Sequence, residues 1–364
     1  MRRRSRRSSV SEPGGSPGVS AASVPATPPA RRRFSRRAIA PYVLLAPGLL
    51  WLALFYIYPA IQMFLVSLWT GNFEAGYEMT FNFGIYPEAI SQYWPWFVRS
   101  IEYGGLATIL AFALGFPLAY TIAFRGGAYK NVLLFLVIAP FFTSFLLRTI
   151  SWKIILADDG LVLGPLKEIG LLDPAVRLLA TPAAVVAGIT YNFLPFMTLP
   201  LYVALEKIDK RLIEAAEDLY AGPWRPGGTI AGGVIGAVLG LLVGVIMSYS
   251  VPVFVVFGCV VGALIGTFLI SQAFVRVTLP LALPGIFAGS LLTFIPAVGD
   301  FINAELLGNP QNQMIGNVIQ ARYLKIVDYP TASALSFILM AAILIGVLVY
   351  SRLLGTEQLT GSGV

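Results

Sequence analysis

Apolar runs about 20 residues long recur along the chain, separated by shorter polar stretches. A helix that crosses a bilayer needs about 20 mostly apolar residues. Six stretches meet that length, at roughly 41–67, 103–124, 131–150, 182–205, 279–298 and 331–354. Two more lie at about 229–248 and 251–270, separated by "SYSVP", where Pro252 favours a turn. No residue between Arg225 and Arg276 is charged. The pattern predicts an all-α polytopic membrane protein: six spans plus an inserted two-helix hairpin, about eight in all.

Two shorter patterns stand out against these runs. In the segment 206–225, Ile208, Leu212, Ala215, Ala216 and Leu219 recur at helical spacing. Lys207, Lys210, Arg211, Glu214, Glu217 and Asp218 take the other positions, which predicts an amphipathic helix lying at a membrane face. Immediately after it, Gly228, Gly232, Gly236, Gly240 and Gly244 fall on every fourth residue, and Gly258, Gly262 and Gly266 continue the spacing. Such small-residue ridges let two helix backbones approach closely in a bilayer. The expectation is a hairpin, 226–272, whose two arms pack on each other along the glycines.

Charge sets the orientation. The body carries so little charge, 12% of residues over the whole chain, that a soluble domain is excluded. Ten of the 25 Lys and Arg lie in the first 37 residues, a low-complexity Arg, Ser, Pro and Gly stretch that cannot bury enough apolar surface to fold. The net charge of +7 therefore belongs to a disordered cytosolic tail that touches anionic lipid, and it does not imply nucleic acid. With the N-terminus inside, Arg125, Lys130, Lys207, Lys210, Arg211, Arg225, Arg276 and Arg352 join the tail on the cytosolic side. Arg99, Arg148, Lys153, Lys167, Arg177, Arg322 and Lys325 fall outside. Basic residues thus favour N-in and C-in. The domain order is a basic tail (1–37), core spans one to four with the amphipathic segment (38–225), the inserted hairpin (226–272), core spans five and six (273–354) and a short cytosolic tail (355–364).

The residue inventory removes whole classes of chemistry. There is no His, and Cys259 is the single cysteine, so no Ser-His-Asp triad, HExxH site, thiolate metal site or disulfide framework can exist. Neither a catalytic site, a metal nor a cofactor is expected in this chain. No phosphate-binding loop is present, so any ATP is bound by another chain. Asp158, Asp159, Asp300 and Glu305 sit in long outer segments, and Glu102 lies at the edge of the second span. Asp300 and Glu305 are read as solvated residues at the outer mouth. The functional alternative is a substrate pathway whose carboxylates steer a cation inward.

Several ordered stretches resemble one family, the permease subunits of ATP-binding-cassette importers of the spermidine/putrescine type. They are "APGLLWLALFYIYP" (46–59), "APFFTSFLLRTISW" (139–152), "YNFLPFMTLPLYVALEKID" (191–209), "EAAEDLYAGPWR" (214–225), "AFVRVTLPLALPGI" (273–286), "LLTFIPAVGDFINAELLG" (291–308) and "MIGNVIQ" (314–320). The family's EAA signature is split here, and removing Pro226 to Gln272 rejoins its halves. The resemblance implies a pore-forming subunit of a bacterial cell membrane, not an enzyme. It would pair with a second permease in a heterodimer, with two cytosolic ATPases and an extracytoplasmic solute-binding protein. It also implies that Glu214, Ala215, Ala216, Asp218 and Leu219 dock on the ATPase. The family glycine falls at Tyr220, and Tyr does not easily take a positive φ, so the turn is expected at Gly222-Pro223. Polyamines are the implied substrate, with ferric iron or another small solute as the alternative. A secondary transporter or channel would place ionisable groups deep in the spans, and none is found there. A further alternative is a permease-derived protein that the insert has uncoupled from its ATPase.

Overall fold

The computed structural model describes residues 36–170, 174, 177–219, 258 and 277–353. The chain divides into two units, Met1–Tyr58 and Pro59–Val364. In the first, helix α1 (Arg36–Leu52) runs into a π-helical turn, Ala53–Ile57. Leu44 to Tyr58 is apolar and exposed on every side, as a helix facing lipid should be. The rings of Trp51 and Phe55 pack at 4.2 Å. Helix α2 (Tyr58–Ser67) begins at the boundary between the units.

The second unit opens with an antiparallel hairpin, β1 (Trp69–Asn72) and β2 (Gly76–Met79), in which Trp69 faces Met79 and Asn72 faces Gly76. Asn72 Oδ1 accepts from the backbone N–H groups of Glu74 and Ala75, at 3.1 and 2.7 Å, and closes the turn. Helix α3 (Ile85–Tyr120) follows, with α4 (Lys130–Ile138), α5 (Phe145–Ile155), the short α6 (Leu163–Glu168), α7 (Pro182–Glu206) and α8 (Lys210–Leu219). Beyond the uncharged segment come α9 (Leu279–Val298), α10 (Ile302–Leu307), α11 (Ile315–Gln320) and α12 (Tyr329–Leu353).

Helices α3, α7 and α9 pack mutually and form the core, with α12 against α3. Tyr103, Ala107, Val185, Ile189, Leu307 and Met314 fill one end. Ala111, Met197, Leu201, Leu205 and Ala282 fill the other. The approach of α7 to α9 is close enough to need glycine. A Cβ on Gly285 would lie 2.5 Å from Ala204 Cβ and 2.7 Å from the Pro200 carbonyl oxygen. A Cβ on Gly289 would meet Met197 Sδ at 2.9 Å.

Five helices among the described residues are long and apolar enough to cross a membrane: Leu44–Ser67, Ile85–Arg125, Pro182–Glu206, Leu279–Val298 and Tyr329–Arg352. These agree with five of the expected core spans, although α3 starts well before the expected 103. The expectation of one continuous span at 131–150 is corrected. The chain bends by 94° between Gly127–Phe142 and Phe145–Ile155, so the two pieces make a sixth span only if counted together. Pro140 offers no N–H, and Thr143 turns extended at φ −101°, ψ 150°. The Thr143 N–H and hydroxyl both donate to the Pro140 carbonyl, at 3.1 and 2.7 Å, replacing the bonds that would continue the helix. Apart from Gly258, the hairpin 226–272 and its glycine ridge lie outside the described residues, as do Tyr220, Gly222 and the basic tail up to residue 35.

Candidate functional site

The amphipathic segment forms α8, as its periodicity predicts. It is entered through a tight corner: the Lys130 ammonium pairs with Glu206 at the end of α7 and lies 5.3 Å from the Tyr202 ring centre. Asp209 Oδ1 then accepts from the Arg211 N–H at 3.0 Å, which starts the helix. Ile208 and Ile213 are buried in the cluster formed by Leu205, Leu201 and Ile122. Leu212, by contrast, is 53% exposed, and Ala215 is exposed beside it. Of the apolar side expected from Ile208, Leu212, Ala215, Ala216 and Leu219, Ile208 is therefore buried and Leu212 and Ala215 are exposed, while the side chains of Ala216 and Leu219 lie outside the described residues. Ile213 turns inward in place of Leu212. Glu214, Ala215 and Asp218 stand exposed together.

Beside α8 a groove of about 870 Å³ runs between α7 and α9. Phe196, Pro200 and Val203 line one wall, and Leu281, Ala288 and Leu292 the other. It ends at Lys207, Asp209 and Leu212. No group of three or more metal-ligating residues occurs among the described residues.

The two candidate carboxylates are not equivalent. Asp300 is only 7% exposed, so the expectation that it is solvated is corrected. Its Oδ1 accepts from the Asn303 N–H at 2.8 Å and its Oδ2 from Asn303 Nδ2 at 3.0 Å, which caps α10. Burial pushes the Asp300 carboxyl up to about 6, against the opposite pull of those two bonds. Glu305 lies on α10 towards water. It accepts from Asn317 Nδ2 at 3.3 Å and stands 3.6 Å from Lys325 Nζ.

The sequence reading missed what Asp300 organises. With its amide held by Asp300, Asn303 presents Oδ1 to Asn192 Nδ2 at 3.1 Å and to the Thr149 hydroxyl at 3.4 Å. Asn192 Nδ2 also reaches Thr149 Oγ1 at 3.3 Å. Four polar side chains from α5, α7 and the start of α10 thus meet inside the apolar body and tie the bent piece to the core. The available signal was polar residues interrupting apolar runs, in "LLRTISW", "TYNFLPF" and "DFINAE". Arg148, next to Thr149, keeps Nε and Nη1 buried without a hydrogen-bond partner, under the rings of Phe141 and Phe145 at 5.2 and 5.7 Å.

Two solved structures share this arrangement of helices. One is a bacterial ABC transporter involved in the import of the acidic polysaccharide alginate, with a TM-score of 0.56 at 18% identity over 88% of this chain and 96% of that one. The other is a bacterial alginate ABC transporter in complex with alginate pentasaccharide-bound periplasmic protein, with a TM-score of 0.52 at 19% identity over 90% and 98%. Residues 270–355 match the family of binding-protein-dependent transport system inner membrane components, which defines the class: a multi-pass transport subunit of the bacterial inner membrane. Within that class, the chain belongs to the spermidine/putrescine transport system permease family. It is 32% identical over 303 residues to the permease protein PotB of Escherichia coli K12, covering 83% of this chain and 93% of that one. It is 33% identical to PotB of Haemophilus influenzae, covering 83% and 90%.

Proposed function

We propose that this chain is the pore-forming permease of an ATP-driven importer that takes up polyamines, spermidine or putrescine, from an extracytoplasmic binding protein. The observation that carries the reading is 32% identity with a spermidine/putrescine permease along 83% of the chain. A second permease subunit completes the pore as a heterodimer, and two cytosolic ATPases supply the energy, so this chain needs no cofactor of its own. Its core has six spans, counting the bent pair as one, with both termini in the cytosol. The uncharged segment 226–272 adds two, which preserves the sidedness of everything downstream.

Coupling runs through α8. Its inner side is anchored by Ile208 and Ile213, while Glu214, Ala215 and Asp218 remain exposed, as a helix seated in a partner's groove requires. A movement of the ATPase would then pass through α8 to α7, whose end is pinned by Lys130 and Glu206. Glu305, exposed at the outer mouth, contributes a negative charge that attracts a polyamine cation. Asp300 acts behind it by holding α10 in place.

The test is a double variant, Glu214→Lys with Ala216→Leu, which puts repulsive charge and bulk on the docking helix. Spermidine uptake should be abolished while the permease stays in the membrane, and ATPase co-purification should drop. An unchanged amount of co-purified ATPase would count decisively against coupling through this helix.

A further inference from the structure

A cleft that none of these roles uses lies where the spanning helices α3 and α12 begin. It is bounded by the β1–β2 hairpin, the first turns of α3 and the corner that leads into α12, and it holds about 390 Å³. That volume falls within the range of small-molecule sites. Its walls are held in place. The Tyr77 hydroxyl donates to the Val327 carbonyl and clamps the hairpin to the corner. Val327 itself takes φ +61°, a conformation that β-branched residues avoid unless the surroundings impose it. Asp328, next in sequence, pairs with Arg322 at 3.1 Å and caps the Thr331 N–H at 3.2 Å. The Tyr77 ring packs on Tyr329 at 5.6 Å.

The chemistry of the lining is one-sided. Glu88 and Asp328 border the cleft, and among the described residues no Lys or Arg does. Asp328 shares its charge with Arg322, whereas Glu88 has no ion-pair partner among the described residues. Trp69, Phe73 and Tyr77 supply aromatic walls on the hairpin side. Trp69 also keeps its indole N–H buried with no acceptor among the described residues. A buried donor of that kind is satisfied by something that occupies the space, a water or a ligand atom.

We propose that this cleft binds a short alkylammonium ion before it enters the pore. An ammonium group would sit between Glu88 and Asp328, with its methylenes along Trp69, Phe73 and Tyr77. The carboxylates then act on the charge and the ring faces on the methylenes beside it, with cation–π attraction where the ammonium lies within about 6 Å of a ring centre. Water carried with the ammonium accepts from the Trp69 N–H. Glu88 supplies most of the net attraction, because Asp328 is already compensated. The identity of the ion rests on the polyamine reading above.

The test titrates putrescine into the purified permease–ATPase complex, without binding protein, and follows tryptophan fluorescence. Butane-1,4-diol, of equal length and no charge, is the control. Putrescine should give a saturable change that Trp69→Phe removes, Glu88→Gln should weaken apparent binding about fivefold, and the diol should give none. No response in the wild type, the same response in Glu88→Gln, or an equal response to the diol would overturn the proposal. Uptake assays on the reconstituted transporter separate the two readings. Polyamine uptake without the fluorescence response removes this site and leaves the function. The response without polyamine uptake removes the function and leaves a cation site.

Discussion

Helix α7 and the α4–α5 pair are both apolar and both contain proline, yet one is a continuous helix and the other turns by 94°. Two prolines, Pro195 and Pro200, lie inside α7 and do not interrupt it. One, Pro140, stands at the break between α4 and α5. The difference lies in what surrounds them. Two thirds of the most apolar window of α7, 67%, is buried between α3 and α9, whereas α4 contains no buried residue. Packing on two sides holds α7 helical in spite of two missing N–H donors. Where such packing is lacking, the local hydrogen bonds of Thr143 decide, and the chain turns. The bent piece is then returned to the core by a polar attachment, Thr149 to Asn192 and Asn303, instead of by apolar interdigitation.

The packed region should be the more sensitive to bulk. Gly285→Leu would drive a side chain into Ala204 and the Pro200 carbonyl, and it should cost about 3 kcal/mol or more. Thermal unfolding in detergent, read by size-exclusion recovery, should show a large loss. Leu147→Phe on α5, at a side chain 61% exposed, should change little. Equal losses in the two variants would mean that α5 is packed as tightly as α7.

The attachment of the bent piece should respond to pH, because Asp300 organises it. Its carboxyl is raised from 3.8 to about 6, so the folded protein holds a proton that the unfolded chain releases. Stability from this group is full below about pH 4 and is lost as pH rises through about 6, by at most about 3 kcal/mol. Unfolding temperatures of the wild type should therefore fall from pH 5 to pH 7.5 more steeply than those of Asp300→Asn. Parallel pH profiles would show that the Asp300 carboxyl is not buried as described.

A smaller effect is expected at the far end of the same chain of bonds. Thr149→Val keeps the shape but takes away one acceptor of Asn192 Nδ2, which should cost about 1 kcal/mol. Cysteines placed at exposed positions of α5, such as Leu146, should become more reactive while those on α7 do not. Unchanged reactivity on α5 would assign its position to apolar contacts alone.

Much of the framework was legible along the chain, and for a simple reason. A span must be long and apolar whatever packs on it, so composition alone located five of the core helices. The amphipathic α8 was legible for the same kind of reason, since its 3.6-residue period is a local property. The candidate sites were less so. Nothing in "AVGDFINAELL" distinguishes a solvated Asp300 from one buried against Asn303, because Asn303 is itself held by Thr149 and Asn192, more than a hundred residues away. Likewise, both Ile213 and Leu212 fit an apolar stripe, and only the line of contact with the core selects Ile213.

Local chemistry, in short range and one dimension, therefore determined where helices form and which segments are too polar to span. Tertiary structure alone decided where a span breaks, which carboxylate is buried, and that Glu88, Asp328 and Trp69 border one cleft. Those outcomes depend on desolvation and on contacts between segments far apart in sequence. Their free energies exist only once the chain is folded, so no local pattern can carry them.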